Sequence, residues 1–341
     1  MRSKVATLGS HCALQVLKGA KDEGFSTLLV CQRKRESLYR RFNFIDEYLF
    51  VDRFSDVTSA ENVSVLKDQK AIVIPHGTLV SEIGAKSVLE GFDVPIFGSR
   101  KMLLWESDRE LKERLMLESG MKTPKAFSSP EEIDRLAIVK LHGAKGGQGY
   151  FLADSPKSYA EGLKKLRKDG KVGAKTPLYI QEYVVGVPIY FEFFQSPLTG
   201  ELEFHSIDRR YETNVDGFGR LPAAMQGGIL PSYVVVGNSP LVLRESLLEQ
   251  VFEMGEGFVE ACGRLVPPGM IGPFCIEGVY TEDTEFVAFE FSARIVAGTN
   301  LYTQGSPYTA FLFDKPMSMG RRIAVEIKEA EAADSLSKVT T

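Results

Sequence analysis

The chain has 341 residues, 44% of them hydrophobic and 25% charged, which is typical of a globular protein of two or three domains. Its 41 basic and 45 acidic side chains give a net charge of −4. We therefore expect no nucleic-acid partner, because nucleic-acid-binding proteins carry a basic excess.

Cysteine spacing and hydropathy exclude further classes. Cys12, Cys31, Cys262 and Cys275 form no C-x-x-C pair, which disfavours a disulfide framework or a zinc site and predicts buried free thiols. No apolar run approaches the roughly 20 residues that span a bilayer, and the N-terminus has no signal-peptide pattern. We expect a cytoplasmic protein with no membrane partner.

The first part of the chain alternates strand and helix patterns. "KVATLG", "STLLVC", "EYLFVD" and "AIVIP" are typical of strands, and "HCALQVLKGAKDEG" predicts a helix that ends at Gly24. This alternation favours a mostly parallel sheet with helices on its faces. The pattern predicts an N-terminal α/β domain over residues 1–98.

Three further segments are predicted. Residues 99–122 are interpreted as one charged linker helix ending at Gly120, and 123–186 as a small subdomain. Residues 187–341 are predicted to form a β-rich domain that begins with a hairpin, "PIYFEFFQS" and "GELEFHSID". The last twenty residues are charged and rich in Ser and Thr, and they are expected to fray.

A glycine-rich stretch, "HGAKGGQGYF", follows the strand "LAIVK". It matches neither a Walker A loop nor a G-x-G-x-x-G fingerprint. It predicts a hairpin whose backbone amides at Gly146 and Gly147 can approach an anion, with Lys140 at its base and Lys145 at its tip. The alternative is a flexible hairpin turn without a ligand.

Two acids lie on the strands "PFCIEGVY" and "EFVAFEFSAR". If the turn is centred on "TEDT", Glu277 opposes Ala288, and Glu290 lies diagonally across the pair. Two carboxylates without a nearby histidine or cysteine suit Mg²⁺. The same register places Phe289 in a core stripe. The alternative is a pair of solvated acids.

Polar residues also end several strands. Glu182 and Tyr183 precede Gly186, where they could contact an adenine edge and ribose hydroxyls, although a plain strand end is the simpler interpretation. His11 follows the first strand, and His76 and Thr78 follow "AIVI". The carboxyl ends of strands in open α/β sheets bind ligands, whereas helix capping is the alternative role for the histidines.

Together these elements resemble the ATP-grasp fold. Several longer motifs are similar to archaeal formate-dependent FAICAR synthetases, where FAICAR is the formylated product of the purine precursor AICAR. The motifs are "TLGSHCALQVLKGAKDEGFST", "PHGT", "FGSRKMLLWESDR", "DRRYETNVDG", "PSYVVVGN", "LVPPGMIGPFC" and "FEFSARIVAGTN". The resemblance implies an α/β (α+β) ATP-grasp fold with a parallel-sheet N-terminal domain.

The resemblance also implies an activity. Such an enzyme is an ATP- and formate-dependent ligase that converts AICAR to FAICAR through formyl phosphate, with ATP and Mg²⁺ or Mn²⁺ bound. A homo-oligomer is expected from the relatives. The alternatives are a non-catalytic AMP- or AICAR-binding paralogue, and a ligase for another small acid or amino-ribonucleotide.

The resemblance also implies residue roles from the matching segments. We expect Lys140 and Arg294 to be catalytic, and the expected AICAR contacts are His11, Thr78, Asn238 and Asn300. The expected ATP contacts are Lys140, Lys145, Gly146, Gly147, Glu182, Val184 and Glu212. The expected metal ligands are Glu277 and Glu290.

Overall fold

The structure is a computed structural model that describes residues 3–141, 150–168, 170, 172–173, 176, 178–227, 229 and 231–341. Lys145, Gly146 and Gly147 of the glycine-rich stretch lie outside the described residues. Within the described ranges, no helix is long and apolar enough to cross a bilayer. The four cysteines are free and buried, as expected.

The N-terminal region contains a four-stranded sheet in the order β3-β2-β1-β4, and every pairing is parallel, as predicted. The strands are β1 (Lys4–Leu8), β2 (Ser26–Gln32), β3 (Glu47–Val51) and β4 (Ala71–Val73). The helices are α1 (Ala13–Asp22), α2 (Glu36–Tyr39), α3 (Ala60–Asp68) and α4 (Ala85–Gly91). Gly24 follows α1 with a φ of 83°, which a glycine adopts without a Cβ clash.

The predicted single linker helix is wrong, because the segment forms two helices. They are α5 (Arg100–Ser107) and α6 (Arg109–Glu118), separated by Asp108 in an extended conformation. The Asp108 carboxylate accepts a hydrogen bond of 3.0 Å from the Leu111 amide and so caps α6. An aspartate inside a charged helical pattern also favours a helix start, and this chain uses it in that way.

The next region contains a second four-stranded sheet, in the antiparallel order β5-β8-β6-β7. The strands are β5 (Ala126–Phe127), β6 (Ala137–Leu141), β7 (Tyr150–Ala153) and β8 (Leu178–Glu182), and the helix is α7 (Pro156–Lys168). Strands β6 and β7 pair from Ala137↔Ala153 to Lys140↔Tyr150. The glycine-rich stretch therefore connects two adjacent antiparallel strands, as predicted.

A five-stranded antiparallel sheet follows in the order β11-β10-β9-β12-β13. Its strands are β9 (Val187–Gln195), β10 (Leu202–Glu212), β11 (Val235–Pro240), β12 (Gly272–Tyr280) and β13 (Phe286–Ser292). The accompanying helices are α8 (Val215–Phe218), α9 (Ala223–Gln226), α10 (Leu248–Leu265), α11 (Thr309–Leu312) and α12 (Met319–Ala332). One face of this sheet packs its phenylalanines against α10, which leaves the opposite face for polar residues.

The prediction that the C-terminal residues fray is wrong, because these residues pack against the rest of the chain. Helix α12 packs on α1, where a Cβ on Gly19 would lie only 2.2 Å from the Arg321 amide nitrogen. Val339 is fully buried, and the Thr341 amide donates to the Ile96 carbonyl at 2.9 Å. Helix α12 is rich in charged residues, but one of its faces is apolar. That face packs against the N-terminal region and stabilises its sheet.

Candidate functional site

A cavity of about 680 Å³ opens between the second four-stranded sheet and the five-stranded sheet. Side chains from both sheets line it, and His11 from the N-terminal region lines it too. The lining includes Lys140, Tyr150, Gln181, Glu182, Tyr183, Val184, Tyr190, Arg210, Glu212, Tyr233, Glu277, Phe289 and Glu290. One cavity thus brings together His11, Lys140, Glu182, Val184, Glu212, Glu277 and Glu290, whereas Thr78, Asn238, Arg294 and Asn300 are not among its lining residues.

The predicted register of the acid pair is wrong. Glu277 stands directly opposite Glu290, not Ala288, since the register shifts between Glu277 and Gly278. The loop between β12 and β13 is also one residue longer than the turn "TEDT", because Tyr280 pairs with Phe286 and Glu285 belongs to the loop. A directly opposed pair is closer than a diagonal one, so the two carboxylates are better placed to share one cation.

The register shift also changes which residues face the cavity. Gly278 pairs with Ala288 and Glu277 with Glu290, which leaves Phe289 without a partner as the bulged residue. Phe289 and Glu290 both line the cavity, whereas Ala288 packs in the core. The expectation that Phe289 belongs to a core stripe is therefore wrong, because alternation breaks at a bulge.

Each of the two acids already forms an ion pair with a basic side chain. The Lys112 ammonium lies 2.5 Å from Glu290 Oε1, and the Arg210 guanidinium lies 2.8 Å from Glu277 Oε2. Ser292 Oγ also donates to Glu277 Oε1 at 3.1 Å. Both acids therefore have a basic partner within the protein.

The electrostatics of Glu290 follow from these neighbours. Burial by itself would raise the pKa of Glu290, but the charges of Lys112, Lys140 and Arg210 lower this pKa to about 2. Glu290 is therefore ionised at neutral pH, and the 46% of its side chain that is exposed also favours the charged form. Across the described residues no cluster of three His, Cys, Asp or Glu side chains forms a closed metal site. A cation here would need further ligands from a substrate or from water.

Lys140 lies at the base of the glycine-rich stretch and is largely withdrawn from solvent. Its Nζ donates to Gln181 Oε1 at 2.9 Å. Burial lowers the pKa of Lys140 to about 8, and the nearby charges of Arg109 and Lys112 act in the same direction while Glu290 opposes them. An ammonium withdrawn from water in a cavity is suited to a phosphate, which would replace its lost hydration.

Residues at the end of β8 line the same cavity. The Glu182 carboxylate accepts from the Lys125 amide at 3.1 Å, while the Glu182 amide donates to the Lys125 carbonyl at 2.8 Å. Val184 continues the lining towards Gly186, where a Cβ would lie 2.1 Å from the Tyr280 carbonyl oxygen. Only glycine fits where the connection from β8 to β9 approaches the end of β12 so closely.

Glu212, at the end of β10, faces the cavity from the opposite sheet. Burial raises the pKa of Glu212 to about 7, with the Asp216 charge acting in the same direction. A carboxyl group of this kind can accept a hydrogen bond from a hydroxyl group or donate one.

His11 and Thr78 come together at the carboxyl ends of β1 and β4. Thr78 Oγ1 lies 2.8 Å from His11 Nδ1. His76 is stacked on His11 with 5.5 Å between ring centroids, but its Nε2 is bonded to the Leu8 carbonyl. Burial lowers the pKa of His76 to about 3, so His76 is neutral and structural. Of these two histidines, His11 lines the cavity.

Arg294 and Asn300 join this cluster. The Arg294 guanidinium forms a 2.9 Å ion pair with Glu106 and lies beside Gly77 and His11. Asn300 Nδ2 donates to the His11 carbonyl at 3.2 Å, and Gln15 donates to its Oδ1 at 3.1 Å. Burial, then the charge of Arg294, lowers the pKa of His11.

Asn238 lies on β11, where its Nδ2 donates to Asp208 Oδ2 at 2.5 Å. Asp208 and Glu192 are fully buried neighbours. Burial and the Asp208 charge raise the pKa of Glu192 well above its usual value. A Cβ on Gly298 would lie 2.0 Å from Asp208 Oδ1, so Asn238 and the Asn300 segment meet at this acid pair.

Sequence reasoning missed Lys112, Arg210, Asp208 and Glu192. Arg210 could have been found, because Asp208, Arg210 and Glu212 alternate along β10 and share one face. No pattern in the sequence distinguishes Lys112, since it is one of many charged residues on α6. Its pairing with Glu290 joins residues 178 positions apart.

Two family models match the chain. The model of DUF1246, a protein family of unknown function, matches residues 5–127. The model of DUF1297, a domain of unknown function, matches residues 158–341.

Two solved structures share the fold alone at low identity. The ADP complex of an N5-carboxyaminoimidazole ribonucleotide synthetase is 12% identical with a TM-score of 0.66, and covers 94% of this chain and 76% of its own. A biotin carboxylase from Campylobacter jejuni is 13% identical with a TM-score of 0.65, over 96% and 71%.

Closer relatives carry a common name. The 5-formaminoimidazole-4-carboxamide-1-(beta)-D-ribofuranosyl 5'-monophosphate synthetase of Cenarchaeum symbiosum (strain A) is 56% identical over 99% of both chains. That of Nitrosopumilus maritimus (strain SCM1) is 54% identical over 99% of this chain and 100% of its own. The structure of an IMP biosynthesis protein, PurP, from Thermococcus kodakaraensis is 30% identical with a TM-score of 0.78, over 99% of this chain and 100% of its own. With identity this high over its whole length, and with the ATP-grasp architecture predicted from its motifs, the chain belongs to the 5-formaminoimidazole-4-carboxamide ribonucleotide synthetase family.

Proposed function

We propose that the chain is an ATP-dependent carbon–nitrogen ligase that formylates the 5-amino group of AICAR with formate, giving FAICAR, ADP and phosphate. The observation that carries the proposal is the single cavity that contains Lys140, Glu182, Glu277, Glu290 and His11. The charge of Glu290 acts on Lys140, and that of Glu277 acts on Arg294. The acid pair therefore lies between a nucleotide end and the His11 cluster.

ATP is assigned to the end formed by β6, β8 and β10. Lys140 supplies a positive charge for the phosphates, and the backbone around Glu182 and Val184 supplies hydrogen bonds for an adenine edge. Glu212 suits a ribose hydroxyl because its carboxyl group can act as acceptor or donor. Lys145, Gly146 and Gly147, which lie outside the described residues, are assigned to the phosphates from the sequence.

The donor set fits Mg²⁺ or Mn²⁺. Glu277 and Glu290 are opposed oxygen donors facing the cavity, and Mg²⁺ in phosphate-transfer sites is held by one or two carboxylates plus substrate phosphates. When bound, the cation would neutralise charge on the transferred phosphoryl group. Arg210 fixes Glu277 by its 2.8 Å ion pair, which keeps one ligand in place.

AICAR is assigned to the His11 end. His11 and Thr78 present a ring nitrogen and a hydroxyl group 2.8 Å apart, and Asn300 is held beside them through the His11 carbonyl. Arg294 and the N-terminus of α1 favour an anion there, such as the ribonucleotide phosphate. Asn238 approaches from β11, and its carboxamide is oriented by Asp208.

The reaction follows in two steps. A formate oxygen attacks the γ-phosphorus of ATP, the bond to ADP breaks, and formyl phosphate forms. The AICAR amine then attacks the formyl carbon, the carbon–oxygen bond to phosphate breaks, and the nitrogen loses a proton, which the released phosphate takes up. Lys140 and Arg294 neutralise the anions, and their fixed positions supply the orientation that such transfers require.

The test measures ADP release and FAICAR formation from ATP, Mg²⁺ and AICAR, with and without formate. ADP and FAICAR appearing together, and only with formate, would establish the ligase and its donor. ADP formed with another small acid would instead indicate a related ligase. AICAR binding with no ADP under any condition would contradict the proposal in favour of a non-catalytic nucleotide-binding protein.

A pH dependence follows from Lys140. Its ammonium is charged below its pKa of about 8 and neutral above it, so attraction for ATP phosphates is present at lower pH and lost as pH rises. We expect kcat/KM for ATP to fall about tenfold per pH unit above pH 8. Lys140→Arg should remove this limb, because arginine is not deprotonated in proteins. An identical limb in both proteins would assign the titration to another group.

A second prediction concerns Asn238. Asp208→Ala removes the acceptor that orients its carboxamide, and KM for AICAR should rise about tenfold, the loss expected for one charged hydrogen bond. KM for ATP should change less than about twofold. Asp208→Asn keeps an oxygen acceptor and is the matched control, with a smaller effect. Steady-state kinetics with each substrate varied would contradict the assignment if both KM values rose equally.

A further inference from the structure

Lys112 has no role in the proposed chemistry, yet it contacts one of the two assigned metal ligands. It lies on α6, and only 18% of its side chain is exposed. Its Nζ is 2.5 Å from Glu290 Oε1. The charges of Glu106 and Glu277 also act on it, so the ammonium lies among the carboxylates that border the cavity.

The Lys112 ammonium and a divalent cation compete for the same negative charge, because the ammonium already lies 2.5 Å from Glu290 Oε1. That oxygen is therefore paired within the chain. A cation that arrives with nucleotide phosphates and binds at Oε1 displaces the Lys112 ammonium from it. The displacement costs the ion pair, and it leaves a positive charge next to the incoming phosphates.

Glu277 differs in this respect. Its partner Arg210 has its guanidinium carbon 3.7 Å from the centre of the Tyr190 ring, and Ser292 donates to the other oxygen. A stacked, planar guanidinium is fixed, whereas lysine has a flexible stem that carries a single charged group. The two counter-ions are therefore unequal, and the exchangeable one is on Glu290.

We propose that Lys112 is a resident counter-ion of Glu290, which a divalent cation displaces, and whose released ammonium then contacts the ATP phosphates. The inference rests on the proposed function in assigning Glu290 to the metal. Lys112 is a residue with two successive partners. It suppresses metal binding in the absence of nucleotide and supports nucleotide binding in its presence.

The test uses the full chain and Mn²⁺, counted by the loss of the free-ion paramagnetic resonance signal. Lys112→Met keeps the helix and removes the competing charge. We expect Mn²⁺ alone to bind Lys112→Met about fivefold more tightly, the ratio that corresponds to an ion pair of ~1 kcal/mol. A non-hydrolysable ATP analogue with Mn²⁺ should bind about tenfold more weakly. Loss of a merely structural residue would not move the two affinities in opposite directions.

Lys122→Met is the matched control. It breaks an exposed lysine–glutamate pair, Lys122 with Glu285, at the other end of the β12–β13 hairpin. Neither affinity should change in that variant. Lys112→Gln provides a second neutral replacement, so the comparison does not depend on one protein folding well.

Each other outcome is decisive. Mn²⁺ affinity that is unchanged or weaker in both Lys112 variants would overturn the exchange and leave the ligase assignment intact. Unchanged nucleotide affinity would overturn the second contact. The Glu290→Gln variant tests the metal site separately from the role of Lys112, since it should weaken Mn²⁺ binding in the otherwise native chain. Equal Mn²⁺ binding by the native chain and Glu290→Gln would contradict the metal site itself, and the inference with it.

Discussion

Replacement of Lys140 by alanine is expected to lower kcat/KM for ATP about 1,000-fold and to leave AICAR affinity within about twofold. The reason is that Lys140 is the charged group that points from β6 into the nucleotide end of the cavity. Its hydrogen-bond partner in the described part of the chain is Gln181, a neutral side chain, so its charge is available for the phosphates. Removal of one preorganised electrostatic contact from a transition state costs about 10²–10³ in rate.

The measurement combines ADP release with calorimetry of AICAR binding. Lys125→Ala is the control, because Lys125 lies in the same small subdomain but pairs with Asp134 on the surface. Turnover in Lys140→Ala that equals the native rate would remove Lys140 from the mechanism. Loss of AICAR binding together with turnover would point to misfolding instead.

Replacement of Glu290 by glutamine is expected to lower activity about 100-fold at limiting Mg²⁺ and much less at saturating Mg²⁺. Glutamine keeps the shape and one oxygen but removes the charge that attracts the cation. It also leaves the Lys112 ammonium without its carboxylate partner, which adds a positive charge at the metal position. The defect therefore lies in metal affinity.

Initial rates over a Mg²⁺ titration test this expectation, with the apparent Mg²⁺ constant as the readout. Glu285→Gln is the control on the same hairpin, since Glu285 pairs with Lys122 on the surface. An equal loss at every Mg²⁺ concentration would mean that Glu290 acts in some way other than by holding metal.

Local patterns predicted the individual elements well. The four parallel strands, the β6–β7 hairpin and the β9–β10 hairpin follow from alternating or continuous apolar runs with clear turn signals. The sequence also predicts His11 and Thr78 at the ends of two strands. Parallel strands bring their carboxyl ends to one edge of the sheet, and the 2.8 Å contact between the two residues agrees with that rule.

The predictions were wrong at positions where the sequence is compatible with two local structures. Asp108 can continue a helix or cap a new one, and the structure uses it as a cap. The hairpin register depended on the assumed turn and on uniform alternation. The bulge at Phe289 broke both, which moved Phe289 into the cavity and set Glu277 opposite Glu290. A bulge costs little backbone energy and leaves no composition signal.

The sequence by itself determined the fold class, the succession of strands along the chain and the chemical types in the site, because hydrophobic periodicity and turn residues act over short distances along the chain. Only the tertiary structure decided which charges meet. Lys112 with Glu290, Arg210 with Glu277, and Glu192 with Asp208 are pairings between separate elements. The physical reason is that a charge interacts through space with whatever packing brings near it, and that distance is fixed only when the sheets and helices have assembled.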